Sequence, residues 1–156
     1  PGSNSPLREE KIKGNRNFVT KIWNASRFVL MNMDNSELED IANFEVKETK
    51  RIQKTKEHVE NVSAYIEKYQ FNLGAEEIRE FFWHQVCDVW IEEIKTEIKD
   101  EKIGSAKRKE KLGELLYILK ENLKIMHPFV PFVTEGVWQE LVHLGLAKGL
   151  LMSQQL

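Results

Sequence analysis

The residues with the most distinctive chemistry lie between Gly14 and Asn32, in the stretch GNRNFVTKIWNASRFVLMN. At about 100° per residue, Arg16, Asn17, Thr20, Asn24 and Arg27 gather on one side of a helix, with Phe28 and Met31 among them. Phe18, Ile22, Ala25 and Val29 fall in a narrow opposite sector, which Val19, Trp23 and Leu30 widen on one flank. The stretch contains no acid, so nothing local neutralises Arg16, Lys21 and Arg27. Forked amide and guanidinium groups suit base edges and phosphates, Lys21 suits a phosphate, and an exposed Phe28 can stack on an unstacked base. That is the chemistry of a surface for single-stranded RNA. The competing reading pairs Arg16 and Arg27 with acids of neighbouring helices, and spacing alone leaves both open.

Other chemistries have less behind them. No two of His58, His84, His127 and His143 stand at i,i+4, and there is one cysteine, so a metal site is not expected. His84 lies one helical turn from Asp88, the pattern of a satisfied core histidine. Glu92 and Glu93 are adjacent and diverge on a helix, and no glycine-rich phosphate loop exists, so no catalytic residues are expected. Cys87 sits in an apolar run and reads as a buried, inert thiol.

With 156 residues, the chain is one domain long enough to bury a core. Charged residues make up 31% and nearly cancel to a net charge of -2, so the chain is not a globally basic nucleic-acid binder. The first 32 residues, however, hold six Lys and Arg against two Glu, the footprint of a local site. A single cysteine excludes an internal disulfide framework, and no stretch reaches 18 apolar residues. No membrane partner is expected, and the compartment reads as cytoplasmic. Residues 1–7 read as a disordered start or cloning remnant, 8–146 as the helical domain, and 147–156 as a frayed tail.

The elements that must hold the polar strip are helical, and the expected fold class is an all-α bundle of about five main helices. The first spans about Asn15 to Asn32. Ser36 to Glu39 has capping-box spacing and opens a short connector to about Asn43. A long amphipathic helix follows from about Val46 to Tyr69, with Ile52, Val59, Val62, Ile66 and Tyr69 inward and a solvated strip of Lys50, Arg51, Lys54 and Lys56. Asn72 is placed to cap the next, to about Lys99. Its middle, Phe81 to Ile91, is apolar nearly all round and belongs inside the bundle. The basic run Lys107 to Lys111 begins a solvated turn, after which Leu112, Leu115, Leu116, Leu119 and Leu123 form an inward stripe to Met126. Pro128 and Pro131 separate this helix from the last, where Trp138, Leu141 and Val142 face inward. Phe129 and Phe132 read as core plugs at the proline corner.

Three blocks carry a resemblance to a known family. Arg16-Asn17-Phe18 with Lys21-Ile22-Trp23-Asn24-Ala25-Ser26-Arg27-Phe28-Val29-Leu30 resembles the opening of the anticodon-binding domain of valyl-tRNA synthetases. Phe82-Trp83, Cys87-Asp88 and Ile91-Glu92 resemble its central helix, and His127-Pro128-Phe129-Val130-Pro131-Phe132-Val133-Thr134-Glu135 with Val137-Trp138 its last loop and helix. The resemblance implies an all-α domain that recognises and positions tRNA(Val) while packed on the catalytic core of its own chain. DNA is not an expected partner. The implied tRNA-contacting residues are Arg16, Asn17, Thr20, Lys21, Asn24, Arg27 and Phe28, with Arg16 and Asn24 foremost.

The family's signatures H-I-G-H and K-M-S-K-S are missing, as are its editing domain and C-terminal coiled coil. The resemblance therefore implies a piece of a larger enzyme that uses ATP and Mg, a piece that needs no cofactor and neither activates valine nor hydrolyses mischarged tRNA alone. Two departures stand out. Val19-Thr20 replaces a small residue followed by Asn, which puts the Thr20 contact in question, and Val46 to Thr49 stands where the family has an Arg-Trp pair. The sister synthetases for isoleucine and leucine share this architecture, and a helical protein-interaction module is the rival from another class.

Overall fold

The computed structural model describes residues 6–100 and 102–155, and helices dominate it, with no strand among the described residues. Helix α1, Pro6–Met31, starts well before Asn15 because Gly14 does not break it. A Cβ there would lie 3.2 Å from the Arg79 guanidinium, which donates to the Gly14 carbonyl at 3.3 Å; the glycine permits this close approach. Of the expected disordered start, residues 1–5 lie outside the described residues, while Pro6 and Leu7 open α1.

A 3₁₀ turn, Asn35–Glu37, and the short α2, Leu38–Ala42, form the connector. The expected capping box of Ser36 and Glu39 is not made among the described residues, and the neighbouring Glu37 accepts from Arg108 at 2.6 Å. Helix α3, Lys50–Glu67, is capped by the Thr49 hydroxyl, which accepts from the Ile52 N–H. It ends in a Schellman motif. The Gln70 N–H reaches the Tyr65 carbonyl at 2.8 Å and the Tyr69 N–H reaches Ile66 at 3.0 Å, with Tyr69 at φ 57°. This left-handed residue turns its ring outward, so Tyr69 is 82% exposed and leaves the inward stripe assigned to it.

Helix α4, Phe71–Glu80, continues into a π-helical segment, Phe81–Ile91, and then α5, Glu92–Ile98. Asn72 lies within the first turn, and no side chain caps α4. The π winding resolves a pattern that looked apolar all round. Its i→i+5 bonding widens each turn, so Phe82, Val86, Cys87, Trp90 and Ile91, in steps of four and five, share the buried face. His84 and Asp88 point out; His84 is an exposed residue, not the core histidine its spacing suggested. The buried histidine is His58, stacked on Phe81 with ring centroids 4.0 Å apart.

Helix α6, Ser105–Met126, runs through the middle with its leucine stripe buried, and α7, Pro131–His143, starts with proline in its first turn. Trp138 and Leu141 are buried, but Phe132 is 93% exposed and plugs nothing. Gly145, at φ 75°, ends α7 with a second Schellman motif whose closing residue, Leu146, is buried. Part of the expected tail packs back on the bundle among the described residues. Leu151 is buried and its N–H donates to the Glu135 carboxylate at 3.1 Å.

Candidate nucleic-acid interface

Phe18, Ile22, Ala25 and Val29 seat α1 against α6, α7 and the π segment, and all four are buried. That seating turns Arg16, Asn17, Asn24 and Arg27 to solvent along one ridge. Among the described residues none of their side chains has a hydrogen-bond partner, and neither Arg16 nor Arg27 has a carboxylate within 4.0 Å. Helix-to-helix ion pairing, the competing explanation of these arginines, therefore does not occur there. The Thr20 hydroxyl, also on the ridge, donates to the Arg16 carbonyl at 3.0 Å.

Two residues of the set are engaged. Lys21 pairs with Asp88 at 2.9 Å and lies 5.3 Å from the centre of the Trp83 ring. The Lys21 hydrogen bond, with help from His84 at 3.2 Å, holds the Asp88 carboxyl below its usual range. Phe28 is half-buried, not an open platform, because the Lys95 ammonium from α5 sits 5.3 Å from its ring centre.

These two residues and Asn24 edge a groove of about 270 Å³ between α1 and the chain from Cys87 to Lys95. Its floor is Ala25, Cys87 and Ile91, while Lys21, Asn24, Glu92 and Lys95 supply polar atoms. Burial pushes the Cys87 thiol up to about 12, so that floor is neutral and unreactive. An apolar slot with an amide, two ammonium groups and a carboxylate suits one unstacked base and its phosphate. Sequence reasoning missed Lys95, since nothing local places it over Phe28. It also assigned Trp23 to the edge of the core, whereas the indole is 47% exposed.

Most cations of the basic runs elsewhere are answered by acids. Arg51 meets Glu93, Glu97 and Glu114, Lys56 meets Glu48, Arg108 meets Glu37, Lys109 meets Asp40, and Lys111 meets Glu97. Among the described residues no three His, Cys, Asp or Glu gather as metal ligands, and no helix is long and apolar enough to cross a membrane.

The pattern of the family described as the anticodon-binding domain of tRNA ligase matches residues 49–155 of this chain. The chain belongs to that anticodon-binding domain family. The match leaves α1 outside, but curated relatives extend further. Valine–tRNA ligase of Bacillus cereus is 37% identical over 148 residues, covering 93% of this chain and 17% of the relative. Those of Fervidobacterium nodosum and Carboxydothermus hydrogenoformans are 40% identical over 135 residues and 35% over 148. They are covered to 83% and 93% of this chain, and 15% and 16% of their own lengths. The chain thus spans about a sixth of the length of these relatives. Membership of this family accounts for the all-helical bundle.

Proposed function

We propose that this domain binds the anticodon loop of tRNA(Val) as part of a valine–tRNA ligase, positioning the tRNA for aminoacylation by the rest of that enzyme. The observation that carries the proposal is the α1 ridge: Arg16, Asn17, Asn24 and Arg27 are exposed and unpartnered in a bundle that pairs most of its other clustered basic groups. In this reading Asn24 and Arg16 read base edges, Arg27 and Asn17 hold the backbone, and Thr20 keeps a free lone pair toward the RNA. Phe28, its ring covered by Lys95, helps to line the groove that takes one base. Lys21 exchanges part of its Asp88 pairing for a phosphate. The similarity to bacterial valine–tRNA ligases supports valine over isoleucine or leucine as the cognate amino acid.

ATP and Mg belong to the parent enzyme's activation step, in a cytoplasmic setting, and the domain's partner in protein is the catalytic core of its own chain. Alone, the domain neither exchanges pyrophosphate into ATP with valine nor deacylates mischarged tRNA. Filter binding with tRNA(Val), against the same tRNA with an altered anticodon, tests the proposal. Equal affinity for the two, at matched salt, would remove anticodon reading from this domain.

A further inference from the structure

The α1 ridge separates two grooves. One, against the π segment and α5, belongs to the surface already described. The other, about 420 Å³ in volume, lies between α1 and α7 and is within the range of small-molecule sites. Trp23, Leu30 and Met31 from α1, Val137 from α7 and Leu144 just after it make its walls apolar. Its remaining polar side chains include Arg27 and Glu140, both exposed and both without an ion-pair partner among the described residues. Trp23 is the exposed tryptophan of the chain; Trp83 is half-buried, and Trp90 and Trp138 are buried.

An exposed indole in a groove that also holds a guanidinium and a carboxylate fits a flat ligand that has hydrogen-bond donors on its edge and a negative charge nearby. A nucleotide is such a ligand. Its base stacks on the indole, its phosphate answers the arginine, and an exocyclic amino group donates to a carboxylate, which can only accept. Uracil is a poor match, because its one ring donor lies between two carbonyls that a carboxylate repels. An apolar protein segment laid over the same walls would bury Arg27 and Glu140 without such partners, at a cost in desolvation. The positive charge of the first 32 residues favours the polyanion as well.

We infer that the groove between α1 and α7 is a second nucleotide site, taking one unstacked base with an exocyclic amino group that stacks on Trp23 and donates to Glu140. This rests on the domain binding RNA, and it makes Trp23 and Glu140 specificity residues. The ridge then reads two nucleotides, one on each flank, with Arg27 serving the phosphate on the α7 side.

The test titrates this chain with the anticodon stem-loop of tRNA(Val), following anisotropy of labelled RNA, with each loop nucleotide in turn made abasic or changed to uridine. One position should lose about tenfold in affinity when abasic. Trp23→Ala should lose a similar factor with the intact loop and almost nothing further with that abasic loop. Glu140→Gln, at an exposed position that opens no cavity, should narrow the preference for an amino-bearing base over uracil there while leaving the melting temperature unchanged.

Normal affinity in Trp23→Ala together with normal base preference in Glu140→Gln overturns the inference. If discrimination still depends on Arg16 and Asn24 in that case, the anticodon-binding proposal stands without it. Absence of binding to any stem-loop removes both. A change in Trp23 fluorescence that follows protein concentration without RNA assigns the groove to a second copy of this chain, and also overturns the inference.

Discussion

Two surfaces of the bundle carry clustered basic side chains, and they differ in what answers them. On the face where α3, α5 and α6 meet, Arg51 reaches Glu93 at 2.7 Å, Glu114 at 3.3 Å and Glu97 at 3.4 Å, and Lys111 shares Glu97 at 2.8 Å. Burial pulls the Arg51 guanidinium down, but the hydrogen bond to Glu93 and the three carboxylates outweigh it, and the net direction is up. On the ridge of α1 the arginines and asparagines face water without partners among the described residues. The first surface is a clamp whose two cations are held by three carboxylates. The second is a set of donors held ready, since the helix that presents them is fixed by its opposite, buried side. A basic run is therefore informative about ligands only when the acids within reach are counted, including those distant in sequence.

The largest effect that separates the two surfaces is on stability. Arg51→Ala leaves the buried Glu114 without its charge partner, which costs about 3 kcal/mol, and should lower the melting temperature with RNA affinity per folded molecule unchanged. A loss of anticodon discrimination in this variant would erase the contrast. Next in size, Arg16→Ala and Asn24→Ala open no cavity and should melt like the parent. Under the proposed function each removes a base-edge contact worth about 1–3 kcal/mol, to be read as reduced preference for the cognate anticodon. A destabilised Arg16→Ala with intact discrimination would make the ridge resemble the clamp.

How much of this contrast the sequence carried depends on which interactions are local. The α1 ridge was readable because a helical period and a missing acid are both properties of one short stretch. The core positions Phe18, Ile22, Ala25, Val29 and the α6 leucines were readable for the same reason. What was not readable is tertiary. Arg51 looked like part of a solvated strip because Glu93, Glu97 and Glu114 come from other helices. His84 is exposed although its spacing to Asp88 suggested a core histidine, because a π-helical segment rephases the chain from Phe81 to Ile91, and no α-period count foresees that. Phe132, in the proline corner, and Tyr69, at a left-handed helix end, show that apolar residues beside a turn do not inherit the helix stripe. Lys95 over Phe28 is a pairing across 67 positions, invisible to any window.

A smaller effect comes from pH. Burial pulls His58 below its ordinary value, and the Glu77 carboxylate at 3.3 Å opposes that pull only in part. The folded chain then resists a proton that the unfolded chain accepts near pH 6.5. Stability is fully present above that pH and is lost as the pH falls from about 6.5 toward the folded value, by at most about 1.4 kcal/mol per pH unit for one group. Urea unfolding between pH 7.5 and 5.5 should show the decline, and His58→Phe, which keeps a ring against Phe81, should flatten it. The ridge of α1 carries no histidine, so its own chemistry adds no such slope. An unchanged slope in His58→Phe would move the titration to another group.

The finest distinction lies at Lys21, which belongs to both kinds of surface at once. It sits on the flank of the ridge, yet Asp88 already holds its ammonium at 2.9 Å, with the two side chains 31% and 44% exposed. A pair this open is worth under about 1 kcal/mol, so Lys21→Ala should barely move the melting temperature. A phosphate competes with Asp88 for the same ammonium, and the RNA gains only the difference. Lys21→Ala should then weaken cognate and altered anticodons alike, with a salt dependence reduced by no more than about one phosphate contact. Asp88→Asn removes the competitor and leaves the side chain's shape, so it should strengthen binding to all RNAs without improving discrimination. If Asp88→Asn instead weakens RNA binding, Asp88 is what aims Lys21 at the phosphate. The pair would then be part of the recognition surface, and the boundary between clamp and ridge would fall on the far side of Asp88.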